Sequence, residues 1–237
     1  MISDLRIPGP TPCPDDVLVS MATPMINHRG PEFAELIERV TSNSKLVLNT
    51  QNDLFFFTSS GTGSLEAAVV NTLSPGDSVL SVITGFFGER FAKIAELYGA
   101  QVERLECPLG QGADPLAIRK CLSQNPKIKA VLVTHVQGFN GISDPLLKEL
   151  RKRDIPLLED VCESHGATHK GQKLGSFGLI SNFSFYYAHH MSTIEGGMVC
   201  TNNADFYQTL RMLRSHGMVR EATAPDLKRG YLERHPD

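Results

Sequence analysis

Hydrophobic and polar positions along the chain switch between a period of two and a period near 3.6, and the switches mark the elements. Seven short apolar, β-rich runs predict strands at residues 54–60 (LFFFTSS), 77–84 (DSVLSVIT), 100–107 (AQVERLEC), 128–135 (IKAVLVTH), 155–160 (IPLLED), 180–186 (ISNFSFY) and 197–202 (GMVCTN). Helical patterns separate most of them, including SLEAAVVNTL at 64–73 and GERFAKIAELYG at 88–99, the latter closed by Gly99. Central strands that read as continuous apolar runs belong to a parallel sheet covered on both faces. The expected fold is therefore α/β: a three-layer sandwich around a mostly parallel seven-stranded sheet. The last two runs lack an intervening long helix, so one member should be antiparallel.

Two predicted strand ends carry candidate chemistry. In TSSGTGSLEAA (58–68) a strand ends in a small-residue turn that opens a helix. Ser59, Ser60, Gly61, Thr62 and Gly63 offer hydroxyls and backbone N–H groups at a helix N-terminus, the makings of a phosphate cradle; a capped turn without ligand is the plainer reading. The stretch fits neither the Walker pattern nor G-x-G-x-x-G. In LLEDVCESHG (157–166) a buried strand ends in Glu159 and Asp160, at the sheet edge where ligands of such folds bind. Side chains alternate along a strand, so one of the two acids should point inward and the other outward. Asp160 as a simple helix N-cap is the competing account.

Composition narrows the partners. The 237 residues are 41% apolar and 21% charged with a net charge of -3, ordinary for a soluble globular chain. No basic block points to nucleic acid, and no apolar run reaches membrane-helix length or forms a signal peptide. The cysteines at 13, 107, 121, 162 and 200 are scattered without a C-x-x-C pair. A reduced cytoplasmic enzyme, with no nucleic-acid or membrane partner and no metal, is the expectation.

Taken together, the cradle, the acid and the stretch FSFYYAHHMSTIEGGM (183–198) resemble pyridoxal-phosphate enzymes of fold type I, the aspartate aminotransferase fold. Residues 5–135 resemble class V aminotransferases through RIPGPTPCPDDVL, MINHRGPEF, SGTGSLEAAVVNTLSPGD and TGFFGERF. Residues 136–223 resemble DegT/StrS-type nucleotide-sugar aminotransferases through PLLEDVCESHGATHKGQKLGSFG, FSFYYAHHMSTIEGGMVCTN and LRMLRSHGMVRE. The resemblance implies an N-terminal arm with helices at 1–50, a cofactor-binding large domain at 51–220, and at 221–237 the start of a C-terminal small domain that is otherwise missing. It implies a homodimer, pyridoxal or pyridoxamine 5'-phosphate as cofactor, a nucleotide-sugar or amino-acid substrate, and glutamate as amine donor. Ser60, Gly61 and Thr62 match the phosphate segment, and Ser184 a second phosphate contact. Phe87 matches the aromatic stacked on the pyridine ring. Asp160 matches the acid that keeps the ring nitrogen protonated, and Glu163 falls where a glutamine usually lies near the ring hydroxyl.

In that family the Schiff-base lysine lies six residues before the Glu of EGG, which here is His189. Lys170 and Lys173 belong to a loop the family does not use for the cofactor, and no lysine occurs from 174 to 227. Imidazole forms no stable imine with an aldehyde. Three readings compete: a degenerate enzyme that only binds cofactor or is inert, a transaminase using another base, or a site where histidine keeps the cofactor free. The third matches the histidine-bearing 3-dehydratases acting on 4-keto-6-deoxy sugar nucleotides, such as GDP-4-keto-6-deoxymannose 3-dehydratase, whose HH sequence this stretch resembles. There histidine moves a proton without becoming covalent. His190, His165 and His216 have no matched role, and the pair Tyr186–Tyr187 lines either a sugar pocket or the core.

Overall fold

The computed structural model describes residues 12–49, 51, 54–108, 110–186, 189–193, 195–214 and 218–234. Residues 1–11 of the N-terminal arm, Tyr187 and His216 lie outside them. Seven strands form one sheet: β1 (Leu54–Phe57), β2 (Ser78–Ile83), β3 (Gln101–Glu106), β4 (Ile128–Thr134), β5 (Leu157–Asp160), β8 (Ile180–Ser184) and β9 (Gly197–Thr201). A small separate hairpin, β6 (Thr168–His169) with β7 (Gln172–Lys173), interrupts the series. The spatial order is β1-β9-β8-β5-β4-β2-β3. All neighbours run parallel except β9, which is antiparallel to both β1 and β8. The single antiparallel member follows from the short β8–β9 connection, which leaves no room for a crossover helix.

Alternation along the strands sorts side chains between two apolar layers. Leu80, Val82, Val131, Val133 and Leu157 pack under α5 (Pro115–Gln124) and α6 (Asp144–Arg153), against Ile118, Leu122, Leu146 and Leu150. Val79, Ala130, Leu132, Leu158 and Ile180 pack on the other face, with Leu65 of α3 (Gly61–Thr72), Phe91 of α4 (Phe86–Leu97) and Leu210 of α7 (Ala204–Arg214). The expected three layers are thus observed. At the end of α4, Gly99 takes φ +85 and its N–H bonds the Glu96 carbonyl at 2.9 Å, the left-handed stop that a side chain would strain.

One strand reading needed adjustment, and two elements had not been read from the sequence. The run at 54–60 ends as a strand at Phe57, because Ser60 becomes the extended residue preceding α3. The β6–β7 hairpin was unforeseen, its two-residue strands being too short for periodicity to register. The polar 225–234 stretch forms a helix, α8 (Pro225–Arg234), with Asp226 in its first turn and Arg234 in its last. End charges and a starting proline stabilise such a helix without an apolar stripe.

Candidate functional site

The C-terminal ends of the parallel strands converge on a cleft of about 450 Å³. Ser60, Gly61 and Thr62 come from the turn after β1, Phe86, Phe87 and Arg90 from α4 after β2, and Asp160, Cys162 and Glu163 from the end of β5 and the loop beyond. Ser184, Tyr186 and His189 come from β8 and its loop, and Glu195 from the approach to β9. The eight residues matched to the cofactor site therefore line one cavity, whereas Ser59 and Gly63, also offered as parts of the cradle, do not. Arg90, Glu195, Cys162, Leu65 and Phe86 line it too and were not singled out. Arg90 was findable: it lies three positions after Phe87, hence on the same helix face.

Two glycines let the cradle close. A Cβ on Gly61 would collide with the Cβ and Oγ of Ser184, and one on Gly197 with Ser64 Oγ and the Ser60 carbonyl. The start of α3 can therefore lie directly against β8 and β9. That helix begins without a side-chain cap; the Gly63 N–H bonds the Ser60 carbonyl at 3.0 Å, and the N–H groups of Gly61 and Thr62 are left for the cleft. Ser184 is buried, and its Oγ accepts the Tyr186 N–H at 3.3 Å.

The two acids of β5 part as alternation requires, yet both are buried, because helices cover both faces of the sheet. Glu159 turns away from the cleft. Its carboxylate accepts from the backbone N–H groups of Gly175 (2.9 Å), Phe177 (2.9 Å) and Gly178 (2.6 Å). It also accepts from His135 Nε2 at 3.1 Å; His135 Nδ1 accepts the Gly141 N–H, which fixes the proton on Nε2. This network pins the loop behind β5.

Asp160 faces the cleft at 1% exposure. Its Oδ1 accepts the Cys162 N–H at 3.1 Å and the Asn182 side-chain amide at 2.9 Å, while Oδ2 is buried with no hydrogen-bond partner among the described residues. Burial pushes the carboxyl above its ordinary range, against the downward pull of those hydrogen bonds. Oδ2 is thus left able to take a further hydrogen bond. Glu163 accepts the Gln137 N–H at 3.2 Å, and burial raises its pKa as well.

His189 is half-buried, its backbone N–H bonded to the Tyr186 carbonyl at 3.0 Å. Burial first, and the His190 charge second, pull its pKa below the ordinary 6.5. His165 stands behind the pair, its ring centroid 6.2 Å from His189 and 6.0 Å from His190. It is wedged against Phe183 and Phe185, and burial lowers it to about 4. His190 is exposed. Lys170 pairs with Asp144, and Lys173 donates to the Gly166 carbonyl at 3.2 Å; neither lines the cleft. Among the described residues no lysine lines it, and no cluster of His, Cys, Asp and Glu forms a metal site.

A family model described as the DegT/DnrJ/EryC1/StrS aminotransferase family matches residues 50–231. An uncharacterized aminotransferase of Methanocaldococcus jannaschii is 41% identical over 142 residues, which cover 60% of this chain and 37% of that protein. GDP-4-keto-6-deoxy-D-mannose 3-dehydratase of Escherichia coli O55:H7 is 42% identical over 92 residues, covering 39% of this chain and 24% of that protein. The solved structure of the E. coli 3-dehydratase with bound hydrated PLP superposes with a TM-score of 0.71 at 25% identity, covering 87% of this chain. The chain spans about half the length of that structure, 51% of it being matched. The chain belongs to the DegT/DnrJ/EryC1/StrS aminotransferase family.

Proposed function

We propose that this chain carries the cofactor site of a pyridoxal/pyridoxamine phosphate-dependent enzyme that removes the 3-hydroxyl of a 4-keto-6-deoxy nucleotide sugar. The observation that carries this reading is the pairing, in one cleft, of a half-buried His189 with the unpartnered Oδ2 of Asp160, where no described lysine intrudes. The residues suit the cofactor. Oδ2 of Asp160 would take its ring N–H, the Ser60–Gly61–Thr62 turn and Ser184 would hold its phosphate, and Phe87 would cover its ring. Glu163 would stand near the ring hydroxyl. When bound as the amine, the cofactor supplies a nucleophile for a keto group and a ring that draws electrons from the adjoining carbon.

His189 then has the proton work. Its lowered pKa leaves the imidazole neutral at neutral pH, with a ring nitrogen lone pair open to a proton. Once charged, the same nitrogen is an acid for the departing hydroxyl. Unlike a lysine amine, it does not capture the cofactor or substrate covalently, so a proton can move while the keto sugar stays on its course to water loss. Glutamate is the amine source in this reading.

The test is an assay of the purified chain with pyridoxamine phosphate, glutamate and a panel of 4-keto-6-deoxy sugar nucleotides. The expected product carries hydrogen in place of the 3-hydroxyl and is lighter by one oxygen, with the two electrons supplied by glutamate through the cofactor amine as glutamate becomes 2-oxoglutarate and ammonia. Aminotransfer is the second reading, favoured by the 41% identity to the M. jannaschii aminotransferase; a product bearing only a new amine would install it. Failure to retain any cofactor would remove both and leave a non-catalytic chain.

We also expect a homodimer. The 18-residue α2 (Pro31–Leu48) buries none of its residues, and Ile37, Val40, Leu46 and Val47 on it are exposed together with Leu18, Val19 and Met21 of α1 (Asp15–Met21). A face of this kind calls for a covering partner, and a two-fold copy is the economical one. Sedimentation should give the mass of two chains; a folded, cofactor-loaded monomer at micromolar concentration would contradict it. The five unpaired cysteines suit a reducing compartment, the cytoplasm. No described helix is long and apolar enough to cross a membrane.

A further inference from the structure

We propose that Arg90 is an anion-binding residue of the cleft, and that the anion it takes is the phosphate monoester of the cofactor. This rests on the function proposed above and adds to it a residue that the phosphate segment itself does not contain.

Arg90 lies in the first turns of α4, and its guanidinium is placed by two neighbours. Nη1 donates to Thr62 Oγ1 at 3.1 Å. The guanidinium carbon stands 5.2 Å from the Phe86 ring centroid and 6.0 Å from that of Phe87. The aromatic rings occupy the face of the cation and the threonine takes one of its N–H groups. The other donors of the planar fork stay available, in the geometry that suits bidentate capture of a phosphate.

The charge inventory of the cleft gives this cation its significance. Asp160, Glu163 and Glu195 line the same cavity, yet Arg90 forms an ion pair with none of them and with no other described residue. Among the described lining residues it is the only lysine or arginine. A partly exposed guanidinium with one N–H taken by Thr62 and no carboxylate beside it keeps donors for an anion. The opposite case lines the same cleft, where buried Asp160 presents an unpartnered Oδ2. The two unmet charges therefore ask for one ligand that is cationic at one end and anionic at the other.

Thr62 ties the arginine to the cradle. Because its Oγ1 accepts from Arg90, the hydroxyl proton must point elsewhere and is free to donate to the same anion. The uncapped start of α3 adds N–H groups at that point. A phosphate there would meet guanidinium, hydroxyl and backbone donors together, whereas a substrate diphosphate or carboxylate would have to displace the cradle's own ligand.

The test is a spectroscopic titration of wild type, Arg90→Gln and Arg90→Lys with pyridoxal 5'-phosphate, with pyridoxal lacking the phosphate, and with GDP. The expected result is a loss of roughly 10- to 100-fold in affinity for the phosphate-bearing cofactor in Arg90→Gln. Affinity for pyridoxal should stay within about two-fold, which also certifies that the variant is folded. Arg90→Lys should recover part of the loss, since it keeps charge but not the fork. Equal loss for both pyridoxal forms would make Arg90 a mere prop for Phe86 and Phe87 and overturn the proposal. A loss confined to GDP would move the anion from cofactor to substrate and overturn it too. Wild type that binds neither pyridoxal form removes the functional reading and this proposal together. Wild type that binds the phosphate form, with Arg90→Gln unchanged, removes this proposal alone.

Discussion

Asp160→Asn should abolish cofactor retention while leaving the free chain at least as stable as wild type. The two halves of that result have one cause. Oδ1 of Asp160 accepts from the Cys162 N–H and the Asn182 amide, and an asparagine carbonyl oxygen can accept both. The unpartnered Oδ2 would be replaced by an NH₂ donor, which meets a protonated ring nitrogen donor to donor. Removing one partner of a buried charge pair typically costs about 3–5 kcal/mol, a loss of two to three orders of magnitude in affinity or more. In the free chain the same change removes a buried charge that has no partner, and burial already disfavours its ionised form. Equilibrium dialysis with pyridoxal phosphate and a thermal melt of the free chain read the two effects separately. Equal cofactor retention and turnover in the variant would sink the assignment of Asp160, and a drop in free-chain stability would recast it as a structural acid like Glu159.

The contrast between those two adjacent acids shows where sequence reading succeeds and where it stops. The strands were legible because a sheet covered on both faces needs continuous apolar runs, and all seven runs became strands. Period-two alternation separated Glu159 from Asp160. It did not reveal that Glu159 is also fully buried, since that depends on the N–H groups of Gly175, Phe177 and Gly178 curling back from a loop sixteen to nineteen residues away. Gly61 was legible as part of a small-residue turn and Gly197 as the start of a strand, and only the approach of α3 to β8 and β9 shows why a Cβ is excluded at either. Phe87 was visible through the TGFFGERF resemblance, and the spacing of Arg90 after it puts both on one helix face, but the significance of the arginine was not visible. Its significance comes from lacking a carboxylate in three dimensions, which no one-dimensional pattern encodes. His165 is similar: a lone histidine in the sequence, it becomes one of three rings gathered behind the cleft once β8 brings Phe183 and Phe185 against it.

Restoring a lysine at position 189 should redirect the reaction rather than improve it. His189→Lys places a primary amine where the structure has an imidazole, and such an amine attaches pyridoxal phosphate through a linkage that borohydride reduces. Wild type should show no such trapping. The same amine competes with the cofactor for the keto sugar, so loss of water should fall even though the variant binds cofactor more durably. His189→Asn makes the complementary case: it keeps a polar side chain of similar reach but cannot carry a proton. Cofactor should remain bound, while turnover falls by roughly 10²–10⁴-fold, the usual loss when a general acid–base group is removed. The pH profile distinguishes this from a structural defect. His189 must be neutral to accept a proton, and burial with the neighbouring His190 charge holds its pKa below 6.5, so the wild-type rate should hold through neutrality and fall only on acidification below that value. The residual rate of His189→Asn should lack that acid limb. If His189→Asn turns over as fast as wild type, or keeps the same acid limb, the proton is carried elsewhere and the dehydratase reading of this cleft fails.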